Sequence, residues 1–313
     1  MVLAFALGLT AALARSDLSV PEAAAKALSL YLLFAIGFKG GVAVAENGAG
    51  GGLAWALVAG VALSFALPFA GFALLGVLTR LDPTDRAAVA AHYGSISIVT
   101  FVTATAVLQS AGIAAEGYMV AVAAAMEAPA IVSALWLAAR GAGGAAPRPM
   151  DARLWHEILL NGSIVLLVGS FLIGLATGPQ GLAEIDSFIV APFKGVLCLF
   201  LLDMGLVAGR GLRGARGVLS PGLLAFGVLM PALGAAAGLA TALVLGLSAG
   251  GTALLMVLAA SASYIAVPAA MRVALPEANP AIYVTLSLGV TFPFNLTFGI
   301  PACVAVAVAL TGG

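Results

Sequence analysis

Two clusters of serine stand in otherwise apolar stretches of the chain, about 165 residues apart. The first holds Ser95 and Ser97, in AHYGSISIVTF, and the second holds Ser261 and Ser263, in ASASYIAVPAA. A serine hydroxyl both donates and accepts hydrogen bonds and carries no fixed charge. Hydroxyls of this kind can hold the oxygens of a small carboxylate-like anion and still release it. We therefore predict that the two clusters form an anion-binding site.

The sequence that follows each cluster repeats the same spacing. The first cluster leads to Tyr118 and then to Glu127–Pro129, and the second leads to Tyr283 and then to Thr291–Pro293. This correspondence predicts that the two halves of the chain fold alike. The serine clusters then occupy matching places in the two halves.

Glu127 is the third feature with evident chemistry. It lies about ten residues from either end of an apolar segment, two residues before Pro129. A carboxylate at that depth in a membrane is costly, which makes it a candidate for function. Oxygen atoms from Glu127, Thr291 and Asn295 are the ligands that a hard cation prefers. We predict that they bind sodium, and the alternative is that Glu127 carries a proton.

The composition indicates which class of protein holds these residues in place. The chain is 63% hydrophobic and 8% charged, whereas soluble domains carry about 25% charged residues. An integral membrane protein made of helices is therefore predicted, with the lipid bilayer around it. No basic patch suggests a nucleic-acid partner. No nucleophile–base pair or metal cluster has catalytic spacing, so an enzyme is not expected.

Hydrophobic segments predict ten membrane spans, because about 20 helical residues cross the hydrocarbon core. Their approximate bounds are 1–14, 24–45, 53–78, 86–110, 117–139, 157–177, 190–209, 221–247, 250–274 and 281–311. The first span is too short to cross alone. We expect the native first helix to begin before Met1.

Each half contains five spans, and an odd number forces the second half to lie inverted in the bilayer. Residues 1–139 are predicted to form the first repeat, 140–156 a cytoplasmic linker, and 157–313 the second, inverted repeat. The fourth and ninth spans carry the serine clusters beside Gly94 and Pro268, and we expect both helices to be broken there. Broken helices expose N–H groups and positive dipole ends near the midplane. Inverted repeats with broken helices are typical of secondary transporters.

The charged residues predict an orientation and one buried ion pair. Lys and Arg concentrate in the odd-numbered loops, whereas the even-numbered loops are acidic up to Lys194. Positive charge marks the cytoplasmic side, so both termini are expected outside the cell inner membrane. Lys39 on the second span and Asp203 on the seventh are predicted to pair, because isolated charges there are costly.

Three segments give the chain a resemblance to a known family. AIGFKGGVA, GYMVAVAAAMEAPAIV and LAASASYIAVPAAMRVALPEANPAIY resemble the sodium-dependent bicarbonate permease family, whose best-known members are cyanobacterial bicarbonate transporters. The last segment is the most specific, and its characteristic residues are Pro268, Arg272, Pro276, Asn279, Pro280 and Tyr283. The resemblance covers nearly the whole chain.

This resemblance implies ten helices in an inverted repeat, divided into a core bundle and a gate bundle. It also implies a homotrimer and sodium-coupled bicarbonate uptake across the plasma membrane. The substrate serines of the family correspond here to Ser97 with Thr100, and to Ser261 and Ser263. The aspartate on the fifth helix of the family corresponds to Glu127, which keeps the carboxylate.

The chain departs from the cyanobacterial members in three places. Tyr264 stands where those members carry an aspartate, and it is expected to line or close the pocket. Bulky residues, Ile98, Val99 and Phe101, interrupt the small-residue run around the first cluster. The linker between the halves is much shorter, so a PII-like regulatory partner is not expected.

We therefore predict a secondary transporter of a small anion, with sodium-coupled bicarbonate uptake as the first hypothesis. Ser95, Ser97, Thr100, Ser261 and Ser263 are predicted to bind the anion through hydroxyls or backbone amides. One alternative is a proton-coupled or sodium-coupled transporter of small carboxylates on the same fold, which Tyr264 favours. A second is a membrane sensor or channel, although polar residues concentrate at the midplane and do not form a continuous pore lining.

Overall fold

The computed structural model describes residues 2–48, 51–141, 156, 160, 162–214 and 219–312. Its helices are α1 (Val2–Leu13), α2 (Glu22–Asn47), α3 (Gly52–Leu78), α4 (Pro83–Gly94), α5 (Ile98–Ser110), α6 (Met119–Ala125), α7 (Pro129–Gly141), α8 (Gly162–Ile189), α9 (Phe193–Gly214), α10 (Pro221–Leu245), α11 (Ala249–Ala260), α12 (Ala266–Ala274), α13 (Pro280–Thr285), α14 (Phe292–Phe294) and α15 (Ile300–Thr311). Two π-helical segments, Leu286–Thr291 and Asn295–Gly299, join the last three helices. No strand occurs among these residues, so the predicted all-helical class is confirmed.

Eight stretches of the described chain are long and apolar enough to cross a membrane. They are Glu22–Glu46, Gly52–Leu78, Pro83–Ser110, Met119–Arg140, Gly162–Ile189, Phe193–Gly214, Pro221–Leu245 and Pro280–Thr311. Each overlaps one of the ten predicted spans. The predicted first span is α1, which has only 12 residues, and the predicted ninth is divided into α11 and α12. A multi-pass membrane protein is supported, and the count of ten remains a prediction.

Helix α8 continues beyond the end predicted for the sixth span at residue 177. The chain changes direction at that point, because Gly178 has φ 59° and ψ −154° and interrupts the helical geometry. Glycine adopts this conformation without the clash that a Cβ would cause. Pro179 follows and cannot donate a backbone hydrogen bond. The predicted end thus coincides with a kink in α8.

Four helices, α1, α2, α8 and α9, pack mainly on one another. Helix α2 runs along α8, and α1 runs along α9. Glycines allow these backbones to approach closely: a Cβ on Gly8 would overlap the carbonyl of Leu202, and one on Gly205 would overlap the carbonyl of Phe5. Small residues at helix crossings are how membrane helices pack tightly. We refer to these four helices as the four-helix group.

The other helices surround α4, α5 and α11. Every residue in the most apolar stretch of Pro83–Ser110 is buried, and so is every residue of α11. Helices α3 and α10 pack against this centre on one side. On the other side they expose apolar side chains such as Trp55 and Val244, as lipid-facing helices do. The elements that carry the serine clusters therefore lie at the centre of the protein.

Candidate functional site

The predicted fourth span is interrupted at the first serine cluster. Helix α4 ends at Gly94 and α5 begins at Ile98, while the backbone of Ser95 and Ser97 is extended, with ψ 154° and 109°. The Ser97 hydroxyl accepts a hydrogen bond from the Thr100 N–H at 3.3 Å. Ser97 thereby caps α5 and satisfies one of the amides that a helix start leaves unpaired. The first predicted break is present.

The predicted ninth span is interrupted at the second cluster. Helix α11 ends at Ala260 and α12 begins at Ala266. Pro268 accounts for the break, because its ring would clash with the carbonyl of Tyr264 in a continuous helix. Ser261 has an extended backbone, with ψ 164°. The Ser263 hydroxyl accepts a hydrogen bond from the N–H of Val267 at 3.4 Å, within the first turn of α12.

The two breaks contact each other directly. The Ser97 N–H donates to the Ser261 hydroxyl oxygen at 2.8 Å. The Ser263 N–H donates to the His92 carbonyl oxygen at 2.7 Å. Buried backbone groups need partners, and each break supplies partners that the other lacks. The sequence prediction that the two clusters meet agrees with this geometry.

A third interruption carries Glu127. Helix α6 ends at Ala125 and α7 begins at Pro129, so Glu127 lies in a short non-helical connection. Ser64 on α3 fixes this connection by donating to the carbonyl of Met126 at 2.7 Å. The Glu127 side chain is only 5% exposed. The carboxylate is therefore held at a defined place inside the protein.

Glu127 shares a small cavity with both serine clusters. The lining is formed by Ile96, Ser97, Ile98, Glu127, Ser163, Ser263, Tyr264, Ile265 and Ala266. Its volume is about 10 Å³, which is room for one water molecule. The cavity therefore brings together four of the predicted site residues, namely Ser97, Ser263, Tyr264 and Glu127.

Several buried polar atoms around the breaks have no hydrogen-bond partner. Among the described residues they include Ser95 Oγ, Glu127 Oε2, the Tyr264 hydroxyl and Asn295 Oδ1. The Tyr264 hydroxyl lies close to the Ser97 side chain, but the two groups do not reach hydrogen-bond geometry. Leaving such an atom unpaired inside a protein costs about 1–3 kcal/mol. A concentration of such atoms favours a site that binds a polar ligand or an ion.

Thr291 and Asn295 do not line the Glu127 cavity. The Thr291 hydroxyl donates a hydrogen bond to the Gly227 carbonyl at 2.8 Å. Because its single proton is used there, it accepts a hydrogen bond from the Tyr93 hydroxyl at 2.6 Å. Asn295 donates through Nδ2 to the carbonyl of Ala260, the last residue of α11, at 2.8 Å. Asn295 thus contacts the second break, and Thr291 links α10 to α4. The structure does not bring the three predicted sodium ligands together.

Sequence reasoning missed one polar residue that lines the cavity. Ser163 lies in the first turn of α8, within the predicted sixth span. Because α8 belongs to the four-helix group, the cavity lies between that group and the central helices. Ser163 follows Gly162 at the start of an apolar segment, and nothing in the neighbouring sequence distinguishes it from other serines. Only the packing of α8 reveals its role.

The buried breaks, the enclosed carboxylate and the apolar exterior define a membrane transport protein. A model of the Na⁺-dependent bicarbonate transporter superfamily matches residues 1–308. The chain belongs to this superfamily, and the resemblance read from its three segments is confirmed. No curated protein matches the chain.

Proposed function

We propose that the protein is a secondary transporter that takes up bicarbonate together with sodium across the cell inner membrane. The observation that carries the proposal is the direct contact of the two helix breaks, from Ser97 N–H to Ser261 Oγ at 2.8 Å. Membership of the superfamily supports the same reading. The proposal includes ten spans in two inverted repeats, 1–139 and 157–313, with both termini outside. Most of the 140–156 linker lies outside the described residues.

In this proposal the anion binds where the breaks meet. Ser95, Ser97 and Thr100 contribute from the first break, and Ser261 and Ser263 contribute from the second. Hydroxyls and backbone N–H groups bind bicarbonate oxygens without a fixed positive charge, which suits a substrate that must be released. A cavity of about 10 Å³ is too small for a carbon and three oxygens. Binding therefore requires the helices around it to separate.

Separation takes place between the four-helix group and the central helices. The cavity already lies at that boundary, because Ser163 on α8 and Ser263 near α12 both line it. The four-helix group corresponds to the gate bundle that the family resemblance implies, and the remaining helices correspond to the core bundle. Movement of one bundle against the other exposes a fixed site to each side in turn. The proposal includes the homotrimer that the resemblance implies, without a PII-like partner.

Glu127 provides the coupling charge. Its carboxylate is buried, and Oε2 has no hydrogen-bond partner among the described residues. In the proposal sodium binds to this oxygen, and Thr291 and Asn295 complete its ligands once the last span rearranges. The π-helical turns at Leu286–Thr291 and Asn295–Gly299 support such a rearrangement, because π-turns interrupt regular helical bonding and occur frequently at functional sites.

A proton-coupled carboxylate transporter is the second candidate. It is favoured by the separation of Thr291 and Asn295 from the Glu127 cavity. A carboxyl group with an unpaired oxygen can carry a proton without any further ligand. Tyr264, in place of an acidic residue, also leaves fewer negatively charged oxygens for a cation.

The test is uptake of radiolabelled bicarbonate into proteoliposomes, with and without an inward sodium gradient. Glu127→Gln keeps the size of the side chain and removes its charge. We expect uptake to fall about 10-fold to 100-fold, because an interaction with a charged group contributes about 1.5–3 kcal/mol. Glu184→Gln is the matched control, since Glu184 is exposed on α8, and it should leave uptake unchanged.

The same vesicles separate the two candidates. Uptake of a labelled small carboxylate, driven by an inward proton gradient and absent for bicarbonate, would replace the first proposal by the second. Flux of neither substrate through protein that is folded and monodisperse would overturn both.

A further inference from the structure

A second, much larger cavity lies along α5, from its first turn to its end. Its volume is about 230 Å³. Residues of α2, α5, α6 and α11 and of the segment 111–118 line it. The polar or aromatic ones used below are Lys39, Phe101, Thr105, Gln109 and Glu116. Phe101 lies one helical turn from Ser97, and its N–H donates to the Ser97 carbonyl at 3.0 Å. Helix α5 therefore connects this cavity to the proposed anion site.

Lys39 brings a positive charge to the lining of this cavity. The predicted ion pair with Asp203 is wrong: among the described residues Lys39 makes no salt bridge, and its ammonium lies 4.0 Å from the centroid of the Phe193 ring. The face of an aromatic ring stabilises a cation, and it does so without cancelling the charge. Lys39 lines the cavity and is partly buried, so an uncancelled positive charge lies at the edge of the cavity, on the face of Phe193.

Glu116, the acidic residue in the same lining, is already engaged. Its Oε1 accepts the Ser248 N–H at 2.8 Å, and its Oε2 accepts the Ser248 hydroxyl at 2.9 Å. Ser248 is the residue that caps the N-terminus of α11. The positive end of a helix dipole stabilises a carboxylate placed there. Both carboxylate oxygens of Glu116 are therefore held by Ser248 at the start of α11, and Glu116 makes no salt bridge with Lys39 among the described residues.

We propose that this cavity is an anion-binding vestibule, in which Lys39 and the Gln109 amide attract a small monovalent oxyanion before it reaches the helix breaks. The Gln109 amide supplies hydrogen-bond donors. Thr105 can only accept there, because its hydroxyl already donates to the Phe101 carbonyl at 3.0 Å. The inference rests on the proposed function for the identity of the anion, which is bicarbonate. In the predicted orientation the vestibule opens to the outside.

The experiment measures the electrostatic potential in the cavity and does not depend on transport. Cys198 and Cys303 are replaced by alanine, and Ala114→Cys places a single thiol in the cavity lining. The protein in nanodiscs is then labelled with an anionic and with a cationic methanethiosulfonate of similar size. The readout is the ratio of the two labelling rates, compared with the ratio for a small free thiol.

Lys39→Gln should lower the anionic-to-cationic ratio about fourfold. A unit charge at about 10 Å in water changes each rate about twofold in opposite directions. Lys39→Arg should retain the ratio. Lys194→Gln is the matched control, because Lys194 is exposed, follows Phe193 in sequence and does not line the cavity. It should change the ratio less than twofold, and bicarbonate should slow labelling by both reagents.

The outcomes separate this inference from the proposed function. A ratio that Lys39→Gln leaves unchanged in folded protein overturns the vestibule, even if bicarbonate uptake is normal. A ratio that depends on Lys39, in a protein that moves no bicarbonate, supports the vestibule and removes bicarbonate as its anion. Protection by bicarbonate that Lys39→Gln weakens supports both.

Discussion

The two helix breaks share a Ser-x-Ser pattern but differ in length and in exposure. Three residues, 95–97, separate α4 from α5, whereas five residues, 261–265, separate α11 from α12. The whole of the first break is buried. In the second break Tyr264 is partly buried and Ile265 is 41% exposed. The same sequence pattern has therefore produced one enclosed break and one that reaches the surface.

This difference indicates which break moves. Opening an enclosed break must disrupt many buried contacts, whereas a break that is partly exposed opens at a lower cost in free energy. The first break also has Pro68 and Ala130 packed against Gly94. We infer that, when the two bundles separate, the first break stays enclosed and the site opens at the second break.

The largest expected effect comes from filling the space around the first break. In Gly94→Ala the new Cβ would overlap the Pro68 ring and lie 2.8 Å from the Cβ of Ala130. Neither neighbour is flexible, so we expect a loss of about 3 kcal/mol in folding stability, the upper end of the usual cost of overpacking. The measurement is the fraction of extracted protein that is monodisperse, together with its thermal unfolding.

A glycine in an open place provides the control for that experiment. At Gly169 on α8 an added Cβ meets nothing within 4 Å, so Gly169→Ala should fold at least as well as the wild type. If Gly94→Ala also folded normally, the first break would not be the enclosed one, and the comparison between the breaks would fail.

The positions of the breaks and of most spans were predictable from sequence, because each has a local cause. Eight predicted spans overlap helices of membrane-crossing length, and Pro268 marks the second break. The sequence predicts a helix break beside Gly94, but the structure gives a different reason for a glycine at this position. The Pro68 ring of α3 leaves no room for a side chain there, and packing between distant helices has no signal in a single sequence.

The partners of polar residues were less predictable, because depth in a membrane does not determine which way a side chain faces. Thr291 matches Glu127 in the repeat, yet its hydroxyl donates to the backbone carbonyl of Gly227. Every residue has such a carbonyl, so sequence cannot identify this partner. Charge alone predicts a carboxylate partner for Lys39, but in the structure its ammonium packs on the face of the Phe193 ring.

The second prediction contrasts one serine of each break. Ser261→Ala removes the oxygen that accepts the Ser97 N–H at 2.8 Å, which leaves a buried donor unpaired and costs about 1–3 kcal/mol. Within the part of the chain that the structure describes, Ser95 Oγ has no hydrogen-bond partner, so Ser95→Ala should leave stability nearly unchanged. Thermal unfolding in detergent measures both.

Uptake assays make this contrast sharper. Ser95→Ala should lower bicarbonate uptake although the protein remains stable, since the hydroxyl is proposed to bind the anion. Equal losses of stability in the two variants would contradict the hydrogen bonding described for the breaks. Normal uptake by Ser95→Ala would remove Ser95 from the proposed site.

The smallest expected effect concerns Tyr264, on the break that we infer to open. Its hydroxyl finds no hydrogen-bond partner among the residues that the structure describes, and its ring packs edge-on against Phe292 with centroids 5.5 Å apart. Tyr264→Phe keeps the ring contact, so stability should be unchanged. Loss of one neutral hydrogen bond to the anion, worth about 0.5–1.5 kcal/mol, should raise the KM for bicarbonate about twofold to tenfold.

Kinetic parameters then distinguish two roles for this hydroxyl. A higher KM with an unchanged maximal rate would place it among the groups that bind the anion in both orientations of the site. A lower maximal rate with an unchanged KM would instead place it in the opening movement, because only a contact that differs between the closed and open arrangements changes the rate of interconversion. The second result would assign Tyr264 to the opening of the second break, as expected because Tyr264 is more exposed than Ser97. It would also remove Tyr264 from the residues that bind the substrate.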